Sequence, residues 1–483
     1  MLLTYSFLFL FIFEIICSIF NFRQRHLDCV SFFRFSTFML IIFGMLHLFK
    51  LNNYSYQYVM IYKIDSTFLN IAYSIGVDGI SLLFIFLSCL LIFVCFIFVW
   101  PIYKIENYDG ILLMLLLCLV ASFLTLDLLF FYIFFEAILI PMFLLIGLYG
   151  SRERKIRAAY LLMFYTLFGS LFFLLGILYL YFVIGVTGFE YLELVTLNFQ
   201  EQIYLWIAFF LSFAFKIPLF PFHIWLPEAH VEAPTVGSVI LAGILLKLGV
   251  YGFIRFSLIF FMNASFYFLP LIALLSILGA LYGSFVAIRQ TDLKRIIAYS
   301  SVAHMNLVLL GLCSFTYIGI SGALLQSLSH GFVSAALFFL IGILYNRYHS
   351  RLLHYYSGLV HMMPLYVFFF FFFTFANIAM PLSSSFIGEF LLLNGIFESS
   401  AFLCFLSALG VIICGSYSLW LYNRMSFGNL KLVGMRKFLD LTLNEFLIIL
   451  PLAIFVIWMG ISPNVLFKFL KLITLNIVVQ SFI

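Results

Sequence analysis

Apolar runs of about twenty residues follow one another almost without interruption, and each is long enough to cross a hydrocarbon core roughly 30 Å thick. Runs near 3–21, 34–50, 80–101, 110–126, 128–149, 158–185 and 203–222 form a first set. A second set lies near 235–261, 266–288, 295–315, 317–345, 364–396, 401–423 and 443–461. Open sheet edges would leave backbone groups unpaired in lipid, so these runs are expected to be helices. Composition agrees: 66% of the 483 residues are hydrophobic and 9% charged, too few to give a soluble domain a polar surface. The expected fold class is an all-α polytopic membrane protein with about 14 transmembrane helices. The polar, Tyr-rich segment 51–70 and the amphiphilic tail 466–483 are expected to be loops or surface helices. Residues 1–20 lack the basic start and small-residue cleavage site of a signal peptide, so they read as an uncleaved first span.

The basic residues test this division. Of the 24 Lys and Arg, most fall in or beside segments that follow odd-numbered spans, such as Arg23, Arg25, Lys104, Arg152, Arg154, Lys155, Arg289, Arg347, Arg351, Arg424 and Arg436. Segments that follow even-numbered spans carry acids instead, among them Glu190, Glu193, Glu201 and Glu398. By the positive-inside rule, the basic loops face the cytoplasm or matrix and both termini face the other side.

Several chemistries find no support. The eight cysteines are dispersed without a C-x-x-C pair, and only Cys29 has a histidine close by, so no metal or iron–sulfur site is expected. No Gly-rich phosphate loop or dinucleotide fingerprint is present. The net charge of +5 comes mostly from loops and does not point to nucleic acid. The 67 phenylalanines, encoded by T-rich codons, suggest an AT-rich genome such as an organelle's.

Against this apolar background a few ionisable residues stand out. Lys216 and Lys247 each lie roughly 15–20 Å into their runs. An ammonium at that depth costs about 2.5–3.5 kcal/mol to insert and is tolerated mainly beside a partner or water. Glu136, shortly before Pro141, is the natural partner of Lys216; otherwise it is a neutral carboxyl bonded to a backbone carbonyl. Lys247, in LAGILLKLGVYG, is either a proton carrier poised by desolvation or a structural amine braced by carbonyls. His304 and His330 lie inside the tenth and eleventh spans, where imidazole can pass a proton on or simply bond a hydroxyl. The seventh span is broken by Pro218 and Pro221, and the twelfth by Pro381, Ser383, Ser384 and Ser385, followed by Glu389. Glu389 is either a terminal acceptor or a brace for the broken helix. The breaks lie five spans apart, so they run in opposite directions, as paired ion sites do in inverted repeats. His223, Glu228, His230 and Glu232 cluster at the first break, where they either line a proton entrance or shape the loop. Asp292, Lys294 and Arg295 look like an ordinary helix start.

At this point the motifs themselves are familiar. KIPLFPFHIWLPEAHVEAPTVGSVILAGILLKLGVYGFIRF, DLLFFYIFFEAILIP, QTDLKRIIAYSSVAHM, SLSHGFVSAALF and MPLSSSFIGEF closely resemble, in order, the chain 4 family of NADH:ubiquinone oxidoreductase, respiratory complex I. The resemblance covers roughly residues 75–460 and implies a proton-translocating, antiporter-like subunit with two inverted five-helix repeats. It implies boundaries at 1–109 for helices 1–3, 110–261 and 262–425 for the repeats, and 426–483 for the last helix and tail. It implies that Glu136 and Lys216 form a modulating pair, Lys247 a central relay, His304 and His330 a connecting path and Glu389 the terminal group. His223, His230 and Glu228 remain a possible proton entrance. The implied setting is the mitochondrial inner membrane, multi-pass, beside sibling antiporter-like subunits and other membrane subunits of the complex. NADH, FMN, iron–sulfur clusters and ubiquinone would be bound by other subunits, with no cofactor on this chain. Two rival readings are a sodium/proton antiporter subunit and a non-pumping structural spacer.

Overall fold

The computed structural model describes residues 44–46, 48–51, 56–65, 70–99, 108–195, 197–429 and 439–482. The expected span at 3–21, most of that at 34–50, and the thought that 1–20 is uncleaved lie outside them, as do Arg23, Arg25, Cys29, Lys104 and Arg436.

The first described element corrects an expectation. Within 51–70 a strand, β1 (Gln57–Asp65), pairs antiparallel with β2 (Asn70–Val77), with Asp65 opposite Asn70. QYVMIYKID is rich in β-branched and aromatic residues, the composition of a strand rather than of a surface helix. The hairpin is tied to the bundle through β2, where Leu126 N–H donates to the Ser74 carbonyl.

β2 runs directly into α1 (Gly79–Val99), and the bundle follows: α2 (Tyr108–Leu124), α3 (Leu128–Ala137), α4 (Leu139–Tyr149) and α5 (Lys155–Ile184). Then come α6 (Phe199–Lys216), the short α7 (Trp225–Glu232), α8 (Thr235–Phe260), α9 (Leu269–Arg289), α10 (Leu293–Leu312) and α11 (Tyr317–Tyr348). The chain closes with α12 (Pro364–Asn377), α13 (Ser384–Ser399), α14 (Ala401–Ser426), α15 (Leu443–Ile461) and α16 (Asn464–Phe482). Nine helices among the described residues are long and apolar enough to cross a membrane. α8 and α11 are buried along their length and form the centre, whereas α5 and α14 show most of their surface outward. This ordering follows the sequence, since the central helices carry the ionisable residues and the outer ones the exposed Phe and Leu. The tail is a helix, as allowed, but no loose surface one: Leu466, Leu470 and Ile477 of α16 are buried.

The helices break where proline removes an amide donor. α3 and α4 part at Ile138, three residues before Pro141. α6 ends at Lys216, followed by Pro218 and Pro221 before α7. α12 and α13 are separated by 378–383, which holds Pro381. α8 contains two wider π-helical turns, Leu241–Leu245 and Phe253–Ser257.

The basic loops gather at one end. Ser151 N–H donates to the Glu232 carbonyl, Leu293 N–H to the Arg351 carbonyl, and Gly358 N–H to the Phe427 carbonyl. The hairpin, Asp127 and Thr187–Phe189 lie together at the other, where Thr187 Oγ1 donates to Asp127 Oδ2 at 2.6 Å and Phe189 N–H donates to the Leu126 carbonyl.

α11 and α13 approach each other closely. A Cβ at Gly322 would stand 2.6 Å from Leu392 N and 2.9 Å from the Leu391 carbonyl carbon, so the two backbones meet there without side chains between them. Such overpacking against backbone costs about 1–3 kcal/mol. Gly322→Ala is therefore expected to lower the thermal midpoint of the assembled protein, read by unfolding in detergent. An unchanged midpoint would mean that α11 and α13 can separate freely.

Candidate functional site

The buried amine of Lys216 sits at the C-terminal end of α6, where the chain turns into the proline-rich break. Its Nζ donates to the Phe135 carbonyl at 3.2 Å and lies 3.8 Å from the centroid of the Phe135 ring. Glu136, the next residue, has Lys216 as its charged neighbour and Ser170 beside it. Its Oε1 is buried without a hydrogen-bond partner among the described residues. The two groups are neighbours, but the amine rests on the backbone at the end of α3 rather than on the carboxyl. Lys216 also packs on α8: a Cβ at Gly249 would stand 2.7 Å from Ile217 Cγ1 and 3.2 Å from Lys216 Cβ. The break after Lys216 thus abuts α8 two residues from Lys247.

Lys247 is fully buried and has two partners. Its Nζ donates to the Ala242 carbonyl at 2.6 Å and lies 2.9 Å from His330 Nδ1 on α11. The first carbonyl is available because the π turn Leu241–Leu245 widens the helix there. With an ammonium donating to Nδ1, the proton of neutral His330 sits on Nε2, which has no partner among the described residues. The His330 and His304 ring centroids are 5.7 Å apart. His304 Nδ1 then stands 3.2 Å from Glu389 Oε1, out of line for a full hydrogen bond. Glu389 Oε1 accepts from Gln326 Nε2 at 2.9 Å, and Gln326 Oε1 accepts from Ser329 Oγ at 3.1 Å. Lys247, His330, His304 and Glu389 therefore form one line of buried ionisable groups across α8, α11, α10 and α13.

The line reaches toward the basic end. His230, stacked on Phe338 with centroids 4.8 Å apart, has Lys247 and Lys294 as its charged neighbours, and neither ring nitrogen is hydrogen-bonded among the described residues. Lys294 is buried and donates to the Ala233 carbonyl at 2.8 Å and to Ser238 Oγ at 3.3 Å. Arg351, fully buried in the loop after α11, donates to the Val231 carbonyl and has its Nη2 3.9 Å from Glu232 Oε1. Burial holds this guanidinium below its ordinary value, and Arg152 nearby acts the same way. His230 and Glu232 are thus brought to the line, while the other two entrance candidates are not. Glu228 is partly exposed and paired with Arg295 at 2.8 Å, and His223 packs its ring against Phe220 and Tyr282.

Lys294 is no ordinary helix start, then, and its burial went unread because a lysine beside Asp292 and Arg295 looks like loop charge. Its signal was positional: Ser301, seven residues on, and His304 share its side of α10. A second missed group lies at the hairpin end. Arg255, in the second π turn of α8, pairs with Asp78 at 2.5 Å, and donates to the hydroxyls of Tyr56 at 3.2 Å and Tyr251 at 3.4 Å. Burial raises the nearby Glu193 carboxyl above its ordinary range, against the pull of Arg255. No group of three or more His, Cys, Asp or Glu that could hold a metal is found among the described residues.

Comparison with known proteins places this arrangement. The NADH:quinone oxidoreductase/Mrp antiporter transmembrane family matches residues 125–415, which hold every group of the line. NADH-ubiquinone oxidoreductase chain 4 of Chondrus crispus is 53% identical over 399 residues, 82% of this chain and 81% of that protein. The chain 4 of Marchantia polymorpha is 51% identical over 413 residues, 85% and 83% of the two chains. Among solved structures, a chain of respiratory complex I from Thermus thermophilus with bound NADH superposes with a TM-score of 0.86 at 28% identity, covering 96% of both chains. A chain of the Mrp complex from Dietzia sp. DQ12-45-1b gives the same TM-score at 19% identity, a likeness of fold. The chain belongs to the NADH:quinone oxidoreductase/Mrp antiporter membrane family, in its NADH-ubiquinone oxidoreductase chain 4 branch.

Proposed function

We propose that this chain is a proton-translocating membrane subunit of NADH:ubiquinone oxidoreductase in the mitochondrial inner membrane, beside sibling antiporter-like subunits. The observation that carries the reading is the buried line Lys247–His330–His304–Glu389, whose first step is a 2.9 Å contact between two groups able to exchange a proton. Protons enter from the basic end past Glu232, Lys294 and His230, pass Lys247, and leave from Glu389. Glu136 and Lys216 act as a modulating pair: the amine rests on the Phe135 carbonyl with the Glu136 carboxyl as its charged neighbour, and a shift toward that carboxyl changes the field at Lys247. The breaks at 217–224 and 378–383 support a division into repeats at 110–261 and 262–425, flanked by 1–109 and 426–483. NADH, FMN, iron–sulfur clusters and ubiquinone are handled by other subunits of the complex.

The test is purification of the tagged chain with its native partners, followed by reconstitution in vesicles. Partners bearing flavin and iron–sulfur clusters are expected, together with NADH-driven, sodium-independent proton uptake. Glu136→Gln and Lys216→Met are each expected to slow that uptake about tenfold, the scale of a typical coupling between sites. Proton flux that requires sodium would assign the chain to cation/proton exchange instead.

A further inference from the structure

The Glu389 end of the line has a second side. His304 turns Nδ1 toward Glu389, while its Nε2 lies 3.5 Å from Cys414 Sγ on α14. Cys414 Sγ is 3.0 Å from the Tyr417 hydroxyl, one turn along the same helix, and 3.9 Å from the carbonyl oxygen of Asn377. Asn377 is the last residue of α12, at the edge of the break. All of these groups are buried.

A neutral imidazole has one protonated nitrogen and one acceptor, and the partner of one decides the state of the other. If the Tyr417 hydroxyl donates to Sγ and the thiol donates to Nε2, the imidazole proton sits on Nδ1, facing Glu389 Oε1. That oxygen already accepts from Gln326, as a carboxylate oxygen with two lone pairs can. The hydrogen bonds then run from α14 to the ring, whose Nδ1 proton faces the carboxyl 3.2 Å away. Simple packing would need neither a thiol nor a phenol hydroxyl at these two positions.

We propose that Cys414 and Tyr417 are positioning residues of the proton path, holding the His304 ring and its tautomer so that Nδ1 serves Glu389. This rests on the reading of Lys247 to Glu389 as that path. The Asn377 amide, whose Nδ2 can donate to the same sulfur at 4.0 Å, also links His304 to the end of α12 at the break.

The test compares Cys414→Ala, Cys414→Ser and Tyr417→Phe in the assembled complex, with Lys247→Met as control, by NADH-driven proton uptake into vesicles. Cys414→Ala and Tyr417→Phe are expected to slow uptake about five- to tenfold, the scale of one hydrogen bond. Cys414→Ser is expected to stay near the unmodified rate, because its hydroxyl donates the same bond. Serine and alanine are close in size, so a packing role would move both alike, and equal loss in the two would overturn the proposal. So would unmodified rates in Cys414→Ala and Tyr417→Phe alongside a silent Lys247→Met. If Lys247→Met itself pumps, it is the proton path that fails rather than this addition to it.

Discussion

Lys247→Met is expected to abolish NADH-driven proton uptake in the assembled complex, by about a hundredfold or more, the scale on which a positioned proton-transfer group contributes. Methionine fills much the same space with no titratable atom. The variant leaves the Ala242 carbonyl and His330 Nδ1 without the amine, a loss of about 1–3 kcal/mol for an unsatisfied buried group, offset in part by removing a buried charge. The chain should therefore still assemble, and loss of pumping is separable from loss of protein by quantifying intact complex. A pumping Lys247→Met complex would reduce Lys247 to a brace on its own helix and make the chain a spacer.

Asp78→Leu is the substitution expected to cost most in stability. Arg255 is buried in α8, and Asp78 is its one carboxylate at ion-pair distance among the described residues. Removing one partner of a buried pair costs about 3–5 kcal/mol, because the other charge is left uncompensated. Against a typical total of about 5–15 kcal/mol, that is enough to deplete the folded protein. The double substitution Asp78→Leu with Arg255→Met is expected to recover most of the loss, since it replaces the pair with apolar groups. The amount of assembled complex and its thermal midpoint read both effects. A single variant as stable as the unmodified protein would show that the Tyr56 and Tyr251 hydroxyls alone hold Arg255.

How much of this was legible in the sequence depends on the residue. The described spans from Gly79 to Ile461 could be read because lipid permits few alternatives to a helix, and the breaks because proline cannot donate. Lys216, Lys247, His304, His330 and Glu389 could be read because a charge in an apolar run is costly enough to need a reason. Lys294 and Arg255 could not: each lies near the end of a run, where basic residues normally reach water, and only tertiary packing buries them. The hairpin was lost to its tyrosines and lysine, which look like loop residues until their alternation is set against β2. The π turns left no mark in composition. They follow from how α8 fits its neighbours, a fact held by the whole bundle rather than by LAGIL.

The first π turn has a mechanical corollary. The Ala242 carbonyl belongs to the same helix as Lys247, so that bond keeps its length however α8 moves as a body. The bond to His330 crosses to α11 and lengthens with any sliding between the two. The amine thus has one fixed contact and one moving contact, like the arm of a relay: displacement of a fraction of an ångström opens the circuit to His330 while Lys247 stays seated.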